Sequence, residues 1–352
     1  MSKNAIYIVE DQGVAQFRYR VQNVIEALSD SKHWQAKWFL KNDTANIKKA
    51  LKNADLIIVE RQTAKDDVVL ALIREAKKKG IKVLFDLDDL IFDYRDLPVL
   101  MKSTNSKNVL YWIGYFWGIR RIAKRVDGFL CTNGYLGKKL SRSFGKRYKI
   151  IPNSLNKKQL EVSKECLRRK SHDGFVVGYF SGSPTHAKDF RLVEPELIKF
   201  LNKHDDAILQ VVGYMEFSKR TQELIDRGRV RILELVDYLE LQKLIAKVDV
   251  SIAPLMVNDF TNCKSELKYF EAAAVETTTI ASPTYSFRKA ITDNKNGFLA
   301  DLGEWYNKLE FLYENTKANK GISKKAREHA MKHYYGESFL RSIEEAYDSF
   351  IE

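Results

Sequence analysis

Residues 250–281 read VSIAPLMVNDFTNCKSELKYFEAAAVETTTIA, and their pattern changes character twice. Val250 to Leu255 is a short apolar run, residues 258–265 are polar, and from Glu266 to Glu276 the apolar positions recur with a period near 3.6. Thr278 to Ala281 is a second apolar run. The stretch therefore predicts a strand, a loop, a helix and a further strand, which is one unit of a parallel sheet. With Ser265 as N-cap, the amides of Glu266, Leu267 and Lys268 point out of the helix start and form an anion site at its positive end. Lys264 stands beside it. Glu271 follows Leu267 by one turn, about 6 Å further along the axis at ~1.5 Å per residue. A diphosphate held at the amides would carry an attached ribose to Glu271. A plainer reading stays open: Ser265 only caps, Lys264 and Lys268 are a solvated face, and Glu271 is a surface charge.

Outward from this stretch the same alternation recurs. Upstream in the second half, strands are expected at Phe175–Phe180, Ala207–Val212 and Val230–Leu235, with helices near 189–203, 217–227 and 239–247. The first half predicts strands at Ala5–Val9, Gln35–Leu40, Ala54–Glu60, Lys82–Leu87, Gly128–Thr132 and Tyr148–Pro152. Asp11-Gln12-Gly13 turns into a helix with Phe17, Val21, Val24, Ile25 and Leu28 on one face, and Gly80 ends another helix at the position that favours glycine. Leu155 to Asp173 is polar and charged, a linker or an added surface helix. The expected fold is α/β: two Rossmann-like, doubly wound domains, 1–155 and 174–333, joined by 156–173 and facing a central cleft. A final helix, 334–352, is expected to return to the first domain.

The composition narrows the classes. The chain has 352 residues with 45% hydrophobic content, enough for sizeable cores. Cys131, Cys166 and Cys263 show no CxxC spacing and no neighbouring histidine cluster, which argues against a disulfide framework or a zinc site. The N-terminus lacks a secretory pattern, so a cytoplasmic protein is expected. A net charge of +13 suits anionic partners without choosing among them. The run VLYWIGYFWGI, 109–119, is too short to cross a bilayer and is followed by Arg120, Arg121, Lys124 and Arg125. It reads as a buried helix with a basic end, or as a peripheral contact, through 109–125, with the inner face of a membrane.

Four segments of the second half, in order, are GYFSGSPTHAKDF, LVDYLELQKLIAKVDVSIAPL, the opening stretch, and ASPTYSFRKAITDNKNGFLA. Together they resemble the GT-B glycosyltransferases, and specifically the large retaining family 4 in its bacterial surface-polysaccharide branch. The resemblance implies a nucleotide-sugar donor site at Gly182, Ser183, Lys188, Val236, Asp237, Asn262, Lys264, Ser265, Glu266, Leu267 and Glu271. It implies no essential metal or cofactor, because cations and a helix start stabilise the leaving diphosphate. Four positions depart from the family pattern. Cys263 falls where a first, sugar-binding glutamate is usual, Ser183 where an arginine is usual, and Glu276 and Thr278 where glycine and proline are usual; the last two are expected to be local packing changes. Asp237 also reads as a plain helix cap, and His186 as a donor-phosphate contact or a solvated loop residue.

In the first half, DLDDLIFD places Asp86, Asp88 and Asp89 at the end of a strand. Asp88 and Asp89, with Lys264, are the catalytic candidates, expected to meet acceptor hydroxyls or the donor sugar; capping of the following turn is the alternative. Arg18 and Arg20 are candidates for an anionic acceptor or the donor phosphates. The implied function is transfer of a sugar from a nucleotide diphosphate to a growing surface glycan or lipid-linked acceptor, with retention carried by the resemblance alone. A nucleotide-sugar epimerase, or a basic protein binding polysaccharide or nucleic acid, are the other readings. No helix-turn-helix, RRM or zinc-finger signature supports nucleic acid.

Overall fold

The computed structural model describes residues 2–64, 67–168, 174–182 and 187–352. The chain divides into two compact units, one of Met1–Asn156, Asn262–Ser265 and Tyr334–Glu352, the other of Lys157–Thr261 and Glu266–His333.

The first unit is built on six parallel strands: β1 (Lys3–Val9), β2 (Trp34–Leu40), β3 (Leu56–Glu60), β4 (Lys82–Leu87), β5 (Gly128–Cys131) and β6 (Tyr148–Ile150). Their spatial order is β2-β1-β3-β4-β5-β6. β3 and β4 are buried almost throughout, as continuous apolar strands covered on both faces must be. Tyr7, Leu56, Ile58 and Leu84 pack with Val21 and Val24 on one side, and the closing helix Gly336–Ile351 adds Phe339, Ile343, Tyr347 and Phe350 to that core. The helix after Gly13 is not uniform. Ala15–Phe17 and Asn23–Leu28 are α-helical, and Arg18–Gln22 between them is a π-turn. Such a turn inserts one residue and re-aims the side chains around it.

The second unit repeats the plan with β7 (Phe175–Ser181), β8 (Ala207–Gly213), β9 (Val230–Leu233), β10 (Val250–Ala253), β11 (Thr278–Ala281) and β12 (Phe298–Leu299), ordered β12-β11-β10-β7-β8-β9 and all parallel. Val177, Tyr179, Leu209, Val211 and Ile252 form its core with Leu197, Phe200, Leu309 and Leu312. Gly213 ends β8 at φ +94, and a Cβ there would lie 1.9 Å from the Ser181 carbonyl oxygen, so only glycine closes that edge.

Several expectations need correction. The stretch expected as one helix near 189–203 is two, Ala187–Arg191 and Glu194–Lys203, because Pro195 fits only a first turn and so restarts the helix. The acidic loop after β4 contains the helix Leu97–Thr104, entered through Pro98 and closed by Asn105 at φ 56. The polar loop after β10 holds a short helix, Asp259–Asn262, and β12 has only two residues. Within 156–173, Lys157–Arg168 is a helix whose Gln159, Leu160 and Ser163 are buried, and it counts with the second unit. Among the described residues, no helix is long and apolar enough to cross a membrane.

Candidate active site

In an open parallel sheet, ligands bind outside the carboxyl ends of the strands where the order reverses. In the second unit the chain runs β7-β8-β9 in one direction and then returns to add β10, β11 and β12 on the other side of β7. The reversal lies between β7 and β10. The segments leaving these two strands are Gly182 to Lys188 and Pro254 to Leu267, the two in which sequence places most of the donor candidates.

One hydrogen bond ties the second segment to the residue just after the first, and others shape the second. Met256 donates its amide to Asp189 Oδ1 at 2.9 Å, which ties the loop after β10 to the short helix that carries Lys188. Leu255 donates to Ser282 Oγ at 2.9 Å. Asn258 and Thr261 exchange amide-to-side-chain bonds, both 3.0 Å, and Thr261 Oγ1 donates to the Met256 carbonyl at 2.6 Å. The loop is thus shaped by its own polar side chains. Gly182 is exposed, and a Cβ on it would meet no described atom within 4 Å. Ser183 and His186 lie outside the described residues.

The helix after the loop is Leu267–Ala274, and its N-cap is Glu266, whose side chain does not make the capping bond. Ser265 is therefore not the cap. Its hydroxyl accepts from Asn153 Nδ2 at 2.9 Å within the first unit. Glu271 is not a surface charge. It is 4% exposed, accepts a long bond of 3.4 Å from Gln159 Nε2, and its carbonyl accepts from Gln242 Nε2 at 2.8 Å. Lys268, one turn earlier, stands 5.0 Å over the Tyr179 ring of β7. Asp237 caps the helix Tyr238–Ala246, accepting from Leu239 and Glu240, and these amide bonds hold its carboxyl below the ordinary range. Val236 precedes that cap and is half-buried.

Residues 175–315 match the model of the family described as Glycosyl transferases group 1. The match falls, but for Asn262–Ser265, within the second unit and is to a glycosyltransferase domain. The chain is accordingly a glycosyltransferase enzyme, and the helix bearing Glu271 lies at the switch point of its transferase domain. No curated protein matches the chain by sequence. Solved structures do match it by fold. HepE of Anabaena in complex with UDP and glucose is 16% identical with a TM-score of 0.62, covering 99% of this chain and 100% of that one. Sucrose-phosphate synthase from Thermosynechococcus elongatus is 14% identical with a TM-score of 0.67, covering 99% and 98%. A glycosyltransferase from Rickettsia africae is also 14% identical, with a TM-score of 0.67 and coverage of 100% and 99%. At such identities the likeness establishes the fold, GT-B.

The remaining candidates of this glycosyltransferase lie in the first unit, whose sheet also has a switch point, between β1 and β3. Asp88 and Asp89 follow β4, one strand beyond β3, and both accept from Arg61 Nη1, at 3.0 and 2.7 Å. Lys264 Nζ donates to Asp89 Oδ1 at 3.1 Å. The three catalytic candidates are thus brought together, around an arginine that sequence reading passed over. Neither aspartate caps the next turn, a role that Asp93 fills. Burial works to raise the Asp89 carboxyl, but Lys264 and Arg61 more than offset it and hold it below the ordinary carboxylate range. Arg61 Nε also reaches Tyr115 Oη at 3.4 Å. Beside this cluster, Glu60 ends β3 with its carboxyl accepting from Gln16; desolvation pushes it up to about 8. Its only sequence signal is a charged residue ending an otherwise apolar strand.

Asn133 organises the segment that carries Lys264. Its Oδ1 caps the helix Gly134–Phe144 by accepting from Leu136 at 3.0 Å, while its Nδ2 donates to the carbonyls of Asn262, Cys263 and Lys264 at 3.4, 3.0 and 3.2 Å. The Cys263 side chain is fully buried. Arg20 is engaged with Asp86, and Arg18 Nη2 bonds Tyr19 Oη at 2.6 Å with its guanidinium 4.2 Å over that ring. The Arg20 donors are engaged inside the unit, with Asp86, the Ile151 carbonyl and Asn153.

Proposed function

We propose that this glycosyltransferase takes a nucleotide diphosphate sugar as donor, bound at the switch point of the transferase domain, and passes the sugar to a glycan or lipid-linked acceptor with retention at the anomeric carbon. The observation that carries the donor assignment is Glu271, a buried carboxylate on the helix that leaves β10. A carboxylate accepts two ribose hydroxyls, and the helix start one turn before it offers amides and a positive dipole end to the diphosphate. Lys188 and Lys268 would neutralise charge as the sugar–oxygen bond breaks. Val236 and Asp237, at the end of β9, would border the base. The match to HepE solved with UDP and glucose favours a uridine nucleotide.

Asp88, Asp89, Arg61 and Lys264 suit the acceptor side: two carboxylates held by two cations offer hydrogen-bond partners to sugar hydroxyls. The same cluster would orient a nucleophilic hydroxyl. Retention and a surface-glycan acceptor rest on the family 4 resemblance, and the departure at Cys263 leaves the sugar contact to neighbouring Asn262, Lys264 or Glu266.

Incubation with a panel of nucleotide sugars, followed by calorimetry and by assay of slow donor hydrolysis, tests the reading. UDP should bind, and Glu271→Ala should weaken it by at least about tenfold, or ~1.4 kcal/mol. Unchanged affinity in that variant would sink the donor-site assignment.

A further inference from the structure

The aromatic helix Val109–Ala123 divides along its length. Its second half is anchored, with Phe116, Gly118, Ile119, Ile122 and Ala123 buried. A Cβ on Gly118 would lie 2.9 Å from the Thr63 side chain, and the Gly118 carbonyl accepts from the Ala64 amide at 3.3 Å. Arg120 and Arg121 fasten the same end through the carbonyls of Phe92 and Ala64, at 2.8 and 2.7 Å. The first half is different. Leu110 is 81% exposed, with Val109, Tyr111 and Ile113 exposed beside it, and where the anchored half begins Trp117 remains 54% exposed with the Arg121 guanidinium 4.6 Å over its ring. Leu110, Ile113 and Trp117 follow helical spacing and make one stripe. Single exposed apolar side chains are ordinary, but a contiguous row of them marks a contact surface. Asn108 caps this end by accepting from Tyr111 at 2.9 Å, so the helix starts on a local bond.

Charge identifies the occupant. Between Asp96 and Asp127 the sequence has no carboxylate side chain, while it carries Lys102, Lys107, Arg120, Arg121, Lys124 and Arg125. Arg120 and Arg121 serve the anchored end, while Lys107, just before the helix, and Lys124 and Arg125, just after it, are exposed. Three carboxylates of the described residues near it are matched already, Asp67 by Arg121, Asp96 by Lys139 and Asp127 by Lys77. A second copy of the chain docked on this face would press one cationic rim against the same rim, since a two-fold contact pairs a patch with itself. Anionic headgroups over an acyl boundary complement both parts.

We infer that the first half of this helix inserts into the interface of a membrane containing anionic lipid. Leu110, Ile113 and Trp117 enter the acyl boundary, and the exposed lysines meet headgroup phosphates. Fifteen residues reach about 22 Å, short of the ~30 Å hydrocarbon core, so the helix dips and does not cross. The inference does not depend on sugar transfer.

Sedimentation of the full chain with vesicles of phosphatidylcholine alone, and of phosphatidylcholine mixed with phosphatidylglycerol, is the test. Binding is expected only to the mixed vesicles, and should weaken steeply with salt. The double variant Leu110→Asp/Ile113→Asp should bind at least about tenfold more weakly with an unchanged melting curve and unchanged UDP affinity. Should that variant unfold, Lys107→Ala and Lys124→Ala serve in its place, each expected to weaken binding about fivefold. Failure of the wild type to prefer anionic vesicles, wild-type binding by the folded variants, or self-association that the double variant disperses each overturns the inference.

Discussion

Arg20 and Asp86 form a two-pronged pair, Nε to Oδ1 and Nη2 to Oδ2 both at 3.0 Å, with each side chain only 1% exposed. The same guanidinium also donates to the Ile151 carbonyl at 2.6 Å and to Asn153 Oδ1 at 3.1 Å. The π-turn Arg18–Gln22 delivers it there from a helix whose ordinary winding would aim elsewhere. An arginine near the start of the chain that resembles a ligand contact is thus a structural tie between the first helix, β4 and the segment after β6.

Removing one member of such a pair strands a buried charge. Arg20→Ala should destabilise the protein by roughly 3–5 kcal/mol, measured by urea denaturation. Arg20→Lys should recover only part of that, because an ammonium cannot reproduce the fork. A variant that kept its stability and lost UDP affinity instead would return Arg20 to the binding site.

Glu60 sets a pH dependence with the opposite sign to that of a paired carboxylate. Its carboxyl is raised from 4.5 to about 8, chiefly by desolvation, with Asp88 and Asp86 adding to the rise and Gln16 and Arg61 opposing it. Between these values the folded chain holds a proton that the unfolded chain has released. Its contribution is therefore full below about pH 4.5 and is lost as pH climbs through about 8, at up to ~1.4 kcal/mol per unit. Glu60→Gln should flatten this slope and stabilise the protein at pH 9. Thermal melts of both proteins from pH 5 to 9 check it; parallel curves would show that Glu60 is ionised in the fold.

Asn133 separates two duties in one side chain. Asn133→Asp keeps the oxygen that caps Gly134–Phe144 but turns the donor facing three carbonyls into an acceptor. A loss of about 1–3 kcal/mol is expected, the range for leaving buried polar groups unsatisfied. Hydrogen exchange should quicken in 262–265 and stay slow in the capped helix. Uniform acceleration in both would show that the amide contacts do not hold the segment.

Sequence made the framework legible where burial is simple. β3, β4 and β7 are apolar runs, and Gly80, at φ 75, marks a helix end by the one residue that takes that conformation freely. The helix that carries Glu271 was legible too, because the change of period after the polar loop survives as Leu267–Ala274. What escaped depends on long-range pairing. Nothing local distinguishes Arg61 from a solvated arginine until Asp88 and Asp89 are folded against it, and Ser265 matches a cap in pattern while its hydroxyl serves Asn153 instead. Asn133 reads only as a helix start, since its three carbonyl partners lie some 130 residues away.

Glu276 was expected to be a packing change in place of a family glycine, and the backbone gives a different reason for that glycine. The helix Leu267–Ala274 ends with Glu276 donating to Ala273 at 3.0 Å and Thr277 donating to Ala272 at 3.0 Å, while Glu276 itself sits at φ 52. This is the same closing motif as at the end of Val68–Lys78, where Gly80 donates to Lys77 and Ile81 to Ala76, both at 3.1 Å. The motif requires a left-handed residue, which costs a side-chain-bearing residue roughly 1–2 kcal/mol and glycine almost nothing. Glycine gives part of this back through the greater freedom of its unfolded chain. Glu276→Gly should therefore stabilise the transferase domain by about 0.5–1 kcal/mol, seen as a higher urea midpoint with an unchanged slope. Glu276→Ala keeps the strain and should not share the gain; equal midpoints for the two variants would mean that the Glu276 side chain, and not its backbone, decides this turn.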